Sequence, residues 1–482
     1  MALEPNHITR RQFLASLSAG SALMMLGCST QSKTQPEIGD VTQLTLADAA
    51  SLIESRRLSP VTLVQACLER IDRFDPRLNA FITVLHESAL EQARLAEAEI
   101  ANGRWLGPLH GIPIGVKDNI DTAGVRTTAA SAALADRVPA VDAAVITRLK
   151  AAGAIIIGKL NMHEFAEGTT SAISHFGPVR NPWNTDHIAG GSSGGNAAAV
   201  AAGFCLGSVG TDTGGSVRIP AACCGISGFK PTYDVVDPTG IVFISRSFDH
   251  VGPMCRTATD DAIMLAAMTE NPIANNFAEA SKADVSSVRV GILRAEKPIC
   301  ESAVEPEVDQ VFKTAVEVIR SLVASVSDAS LPSPDHLGEI IDAENFAFEA
   351  DRLPEDSGVY KPGGAKQISA AKYDELKREL ATHRQNLSAS FRDVDLVIVP
   401  TLPGLPLRVE DAKDPFALDS CTFPFSIGGL PSISVPCGLS SSGLPIGMLI
   451  SGPANSDARV VALARAYQAK TDWHLRRPVL AN

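Results

Sequence analysis

Residues 190–216 read GGSSGGNAAAVAAGFCLGSVGTDTGGS. Two Gly/Ser-rich segments, 190–195 and 211–216, bracket an Ala-rich stretch of helical character and a short apolar run, CLGSVG, at 205–210. A flexible Gly/Ser linker needs polar, unstructured flanks. Here NAAAVAAGF follows the first segment directly and CLGSVG leads straight into the second, so both read as junctions between strand and helix. At such a junction backbone N–H groups can turn toward a ligand, because no Cβ blocks the approach. The ligand is then either a phosphate or a developing oxyanion, and the neighbouring residues must decide.

Working outward, short apolar runs alternate with Ala-rich helical stretches: IPIGV at 112–116, AAVITRLKAAG at 143–153 and AIII at 154–157. Fully apolar strands separated by helices imply strands covered on both faces. The expectation is an α/β fold: one large domain over residues 42–482 whose mixed, mostly parallel twisted β-sheet carries helices on both faces. Toward the N-terminus, Thr45 begins a capping pattern ahead of Leu46, Ala49, Ala50 and Ile53, and Ser59-Pro60 opens a second helix with Leu63, Cys67 and Ile71 on one face. Residues 270–390 read as a more helical region, including a long amphipathic helix from Val304 to Val326. Strand patterns return at 394–399, 432–435 and 446–450, before a closing helix at 457–471.

A phosphate loop is poorly matched. Neither Gly/Ser segment contains the lysine of GxxxxGK[ST], and where Gly153 to Lys159 fit that pattern, Leu160 replaces the hydroxyl residue. Gly191, Ser193 and Gly195 satisfy GxSxG, but a nucleophile elbow follows directly on a strand, whereas NPWNTDHIAG precedes this one. His163-Glu164 begins an HExxH pattern that Glu167 breaks, so no metal and no cofactor are expected.

The pair GGSSGGNAAAVAAG and GTDTGGSVRIPAACCG resembles the amidase signature family. GVKDN at 115–119 and GKLNMHEF at 158–165 resemble the family's two upstream segments, in the right order, and GPMCR at 252–256, GLPSISVP at 429–436 and GLPIG at 443–447 extend the likeness over most of residues 45–475. The resemblance implies that Ser216 is the nucleophile, that Ser192, preceded by a cis peptide, relays a proton, and that Lys117 is the base. It implies an oxyanion hole built from the N–H groups of Thr213, Gly214, Gly215 and Ser216, with Ser193, Asp212 and Arg218 in support. The chemistry is coherent: a serine hydroxyl needs a base to become nucleophilic, and a buried lysine, its ammonium disfavoured by desolvation, can serve. The competing reading of Lys117 is an ordinary lysine paired with Asp118.

Proteins that take part in making glutaminyl-tRNA belong to the same family and usually carry Gln after the Arg of the SxR segment. Here SVRIP at 216–220 departs from that pattern and is more similar to indoleacetamide, mandelamide and aryl-acylamide hydrolases. The expected function is a serine amidohydrolase acting on small-molecule amides, with carbamates or esters as alternatives and water as second substrate. Ranked below these are a glutamyl-tRNA amidotransferase subunit and, last, a noncatalytic binding protein built on the fold. The oligomeric state is left open, a homodimer included.

Arg10-Arg11, the apolar run from Phe13 to Gly27, and Cys28 read as a twin-arginine export signal over residues 1–27 ending in a lipobox, followed by a polar linker over 28–41. Cys28 is therefore a lipidation candidate, and the expected location is outside the cytosol of a bacterium, periplasmic or anchored to a membrane by the N-terminal lipid. The remaining eight cysteines form no CxxC pair, and their apolar neighbours read as surroundings of buried free thiols. The 482 residues carry a net charge of -12 spread along the chain, with no basic stripe of the kind a nucleic acid requires.

Overall fold

The apolar runs around the two Gly/Ser segments become the middle of an eleven-stranded sheet. The structure, a computed structural model, describes residues 39–270, 277–294, 299–300, 302–352 and 367–480, so residues 1–27, expected to be an export signal, Cys28 and most of the expected linker lie outside the described residues. Residues Asp40–Asn482 cluster as one compact unit. Its strands are β1 (Phe81–Val84), β2 (Pro113–Lys117), β3 (Ile155–Leu160), β4 (Arg180–Asn181), β5 (Asn184–Ile188), β6 (Gly207–Asp212) and β7 (Ser227–Lys230). They continue with β8 (His250–Cys255), β9 (Arg289–Leu293), β10 (Ser325–Ala329), β11 (Leu396–Pro400), β12 (Ser432–Leu439) and β13 (Pro445–Ser451). The sheet runs β1-β3-β2-β6-β8-β7-β12-β13-β11-β9-β10, and β4 and β5 form a separate ribbon.

The sheet is mixed, as expected, but less parallel than expected. The ladders β3–β2, β2–β6, β11–β9 and β9–β10 are parallel, whereas β1–β3, β6–β8, β8–β7, β7–β12, β12–β13 and β13–β11 are antiparallel. The physical reason is that helices cover the antiparallel strands too. Strands β8 and β13 are buried at every position, so a continuous apolar run does not reveal the direction of its neighbour.

Local chemistry explains the helices that frame the sheet. In α1 (Leu46–Glu54) the Asp48 N–H donates to Thr45 Oγ1 at 3.0 Å, and the Thr45 hydroxyl donates to Asp48 Oδ2 at 2.8 Å, a reciprocal cap. In α2 (Pro60–Leu78) Ser59 Oγ accepts from Val61 and Thr62, with Pro60 at the first helical position. After α3 (His86–Ala101) and α4 (Ala144–Ala151) come α5 (Gly194–Ala202) and α6 (Arg218–Cys224), both buried along their whole length. The small residues along α5, Gly-Gly-Asn-Ala-Ala-Ala-Val-Ala-Ala, let its backbone pack closely against its neighbours. The helix expected over 304–326 ends at Arg320, and 325–329 instead forms the edge strand β10. Ser321 and Leu322 close the helix with short-range turns, and the parallel ladder to β9 outweighs the continuing helical pattern.

Six of the eight cysteines are buried free thiols, as expected. The other two are not: Cys300 and Cys421 are joined by a disulfide across 121 residues of chain. Their apolar surroundings resemble those of the free thiols, and so distant a pairing leaves no trace in the spacing. Closing a loop of this length stabilises the folded chain by about 2–4 kcal/mol. Cys300→Ser combined with Cys421→Ser should therefore lower the midpoint of urea unfolding by a matching amount; an unshifted midpoint would mean that the two sulfurs are not bonded.

Candidate active site

Two neighbouring parallel strands end side by side. Lys117 is the last residue of β2 and Asp212 the last of β6, with Val116 and Val209 paired just behind them. The carboxyl ends of parallel strands leave space for a ligand, and both Gly/Ser segments arrive there. The first delivers Ser192 and Ser193 to the start of α5, and the second carries Thr213 to Ser216 from β6 into α6.

Lys117 is fully buried, and its amine lies 2.7 Å from Ser192 Oγ and 2.8 Å from Thr211 Oγ1. Asp118, the partner in the competing reading, faces elsewhere: it accepts from Thr128 and lies 3.8 Å from the amine of Lys159. Burial pulls the Lys117 pKa down to about 7, while the charges of Asp212 and Asp249 hold it from falling further. A substantial fraction is thus a neutral amine near pH 7, with one lone pair for the proton of a neighbouring hydroxyl. Thr211 Oγ1 also accepts from the amide of Asn119 at 3.1 Å, which fixes the far side of the lysine.

The peptide bond between Gly191 and Ser192 is cis. The Ser192 carbonyl accepts from His163 N at 3.0 Å and from Ser171 Oγ at 3.1 Å, so both sides of the residue are fixed. Ser193, whose place in GxSxG suggested an elbow, is buried and donates its hydroxyl to the Thr211 carbonyl at 3.2 Å. Its N–H donates to the Ser216 carbonyl at 3.2 Å, which ties the two Gly/Ser segments together.

Ser216 lines a cavity of about 780 Å³ together with Thr213, Gly214 and Gly215. Its hydroxyl makes no hydrogen bond among the described residues, so the Lys117–Ser192 link is formed here while a Ser192–Ser216 link is not. Hydrogen bonds of this kind often tighten only when substrate is bound. The N–H groups of residues 213–216 donate to no acceptor among the described residues, and all four residues line the cavity. At Gly215, φ is +153° and an added Cβ would fall 2.7 Å from Ile219 Cδ1, so no larger residue fits there.

The loop is held by a buried fork. Arg218 donates to Asp212 through Nε at 2.9 Å and Nη2 at 2.7 Å, and also to the Thr422 carbonyl, Ser426 Oγ and Ser432 Oγ. Burial works against the Asp212 carboxylate, but the Arg218 guanidinium overcomes it and holds the pKa near 2. Asp212 Oδ2 further accepts from Val217 N at 3.1 Å, so the pair clamps both ends of the 213–216 turn.

Three contributors were not foreseen. Asp249 accepts from Thr213 Oγ1 at 2.6 Å and from Ile244 N at 2.8 Å, and burial raises its pKa to about 6. Thr422 donates its hydroxyl to the Gly214 carbonyl at 2.6 Å, and Thr211 flanks the lysine. Thr211 lies inside a recognised segment and was legible. Asp249 stands three residues before GPMCR and offered only proximity, while Thr422 gave no signal. A larger cavity of about 1020 Å³ shares Ile244 with this one but contains neither serine.

A sequence profile described as Amidase matches residues 62–370 and 358–461. Curated relatives include glutamyl-tRNA(Gln) amidotransferase subunits from Roseiflexus sp. strain RS-1 and Methylococcus capsulatus. Both are 39% identical, over 91% and 90% of this chain and 98% of each relative. Among solved structures, one described as an amidase superposes with TM-score 0.79 at 30% identity, over 89% of this chain and all of that one. The peptide amidase of Stenotrophomonas maltophilia gives 0.78 at 27% over 91% and 99%, and the corresponding glutamyl-tRNA(Gln) amidotransferase subunit of Thermotoga maritima gives 0.74 at 30% over 92% and 99%.

Removing one member of a buried ion pair strands the other, at a cost of about 3–5 kcal/mol. Arg218→Ala should lose stability of that order in urea unfolding, and Arg218→Met combined with Asp212→Leu should recover much of it. Wild-type stability in the single variant would show that the clamp is dispensable.

Proposed function

Because this chain belongs to the amidase family, we propose that it cleaves C–N bonds by acyl transfer to Ser216, as a hydrolase of small amides. Action on C–N bonds follows from the family. The observation that carries the rest is the 2.7 Å contact between a fully buried amine and the Ser192 hydroxyl, with no carboxylate within hydrogen-bonding distance of that amine among the described residues.

In this reading the Ser216 oxygen attacks the substrate carbonyl carbon as its proton passes to Ser192 and the Ser192 proton passes to the neutral Lys117. The negative charge formed on the carbonyl oxygen is taken up by the N–H groups of residues 213–216. Each such donor is typically worth about 2.7–4 kcal/mol in the transition state. Collapse breaks the C–N bond, and Ser192 returns a proton to the leaving nitrogen while Lys117 reprotonates Ser192. Water then attacks the acyl-Ser216 ester by the same relay, releasing the acid and restoring the site. Carbamates and esters suit the same steps.

A second reading has support of its own: the curated relatives bear the name of a glutamyl-tRNA(Gln) amidotransferase subunit, a reading that the sequence ranked below hydrolysis. Two observations favour the stand-alone hydrolase. Ile219 occupies the position after Arg218, and the Cys300–Cys421 disulfide suits an oxidising compartment, in keeping with the twin-arginine signal and with export. Lipidation at Cys28 belongs to the same proposal.

The chain alone should hydrolyse members of a panel of anilides, primary amides, carbamates and esters. Ser216→Ala should lower turnover by on the order of 10⁴-fold or more and Lys117→Ala by about 10²–10⁴-fold. Activity only after addition of partner proteins would favour the second reading, and full activity in both variants would refute the site.

The base must be neutral, so kcat/KM should rise with pH through an acid limb near pH 7. The Asp249 carboxylate favours the ammonium, hence Asp249→Asn should move that limb to lower pH. A limb that stays in place would remove Asp249 from the electrostatics of Lys117.

A further inference from the structure

The cavity above Ser216 has two kinds of wall. Near the nucleophile it is apolar, with Ile219, Ile244 and Phe423 beside the glycines. Beyond the Phe423 ring, whose far end meets Gly338, the lining includes Asp335 and Glu339 from the turn and first residue of the helix Glu339–Arg352, and it also includes Asp419 from the segment ahead of Cys421. No Lys or Arg lines the cavity among the described residues.

Neutral donors hold two of these carboxylates in place. Asp419 accepts from the backbone N–H groups of Ser302 and Ser420, and Asp335 from the Ser333 hydroxyl. Such bonds orient a carboxylate without cancelling its charge. Scattered acidic residues on a protein of net charge -12 serve solubility. Asp335, Glu339 and Asp419 line one cavity that also has apolar walls, and such walls focus the field and concentrate counter-ions there.

We propose that this cavity selects amides that carry a cationic group, an ammonium or guanidinium, separated from the scissile carbonyl by an apolar spacer. The spacer lies against Ile219 and Phe423, and the cation reaches the carboxylate rim. A carboxylate or phosphate at the same place is repelled. The inference rests on the reading of Ser216 as nucleophile.

The test is calorimetric titration of the full chain with hexylamine, hexanol and hexanoate, ligands of one shape and three charges. The ammonium should bind about tenfold tighter than the alcohol at about 0.01 M salt, hexanoate should bind more weakly than either, and the ratio should fall toward one near about 1 M salt as screening shortens to a few ångströms. Glu339→Gln with Asp419→Asn should reduce the ratio at low salt. Equal binding of amine and alcohol, tighter binding of hexanoate, or a ratio that survives the double substitution would overturn the proposal.

Turnover separates this outcome from the fate of the preceding reading. Hydrolysis of the neutral hexanoyl anilide, and its loss in Ser216→Ala, reports on the nucleophile alone, whereas the ratio between that anilide and its ω-amino counterpart reports on charge. The ω-amino compound should have a kcat/KM about tenfold higher at low salt; equal values would contradict the selectivity while leaving the nucleophile in place.

Discussion

A lysine amine sealed from water at the end of a central strand is the constraint around which the rest is arranged. An ammonium in that position would be costly without a carboxylate in contact, and the structure supplies hydroxyls instead, from Ser192 and Thr211. The nearest acids in sequence and space are committed elsewhere: Asp118 to Thr128 and Lys159, Asp212 to Arg218, and Asp249 to Thr213 and the Ile244 backbone. Asp212 and Asp249 are close enough to temper the lysine, and neither quenches it. That balance leaves an amine able to take up a proton near neutral pH.

The same residues that leave the lysine alone build the floor of the cavity. Arg218 gathers Asp212, Thr422, Ser426 and Ser432 around the turn at 213–216, and Thr422 returns to hold the Gly214 carbonyl from the other side. The turn therefore spends the Gly214, Gly215 and Ser216 carbonyls and the Thr213 hydroxyl on its supports, and leaves its N–H groups and the Ser216 hydroxyl uncommitted among the described residues. The segment bearing Thr422 is itself fastened next door by the disulfide at Cys421, which packs with Val397 and Val399 of β11 and Leu449 of β13, so the support of the 213–216 turn is tied covalently to the core.

What was legible in the sequence was legible for a reason. Glycines beside apolar runs betray backbone brought close to a ligand, which is why the two Gly/Ser segments stood out, whereas Ser192, Ser216 and Lys117 were named only through the resemblance of their segments to a known family. Strand direction was hidden, because helices bury β8 and β13 on both faces as they do β2. The strand β10 was hidden by an amphipathic pattern running past Arg320, and it forms only because β9 lies ready to pair with it. Asp249, Thr422 and the Cys300–Cys421 bond depend on contacts across many tens of residues, for which local pattern carries no record.

The account stands on the protonation state of one side chain, and that can be measured without any substrate. With ¹³C-labelled lysine, the Lys117 side-chain resonance, assigned by its loss in Lys117→Met, should titrate near pH 7 in the folded chain, well below the ordinary lysine value of about 10.4. A titration close to the ordinary value would mean that a charged ammonium occupies the site at neutral pH, and the relay built on a free amine would be wrong.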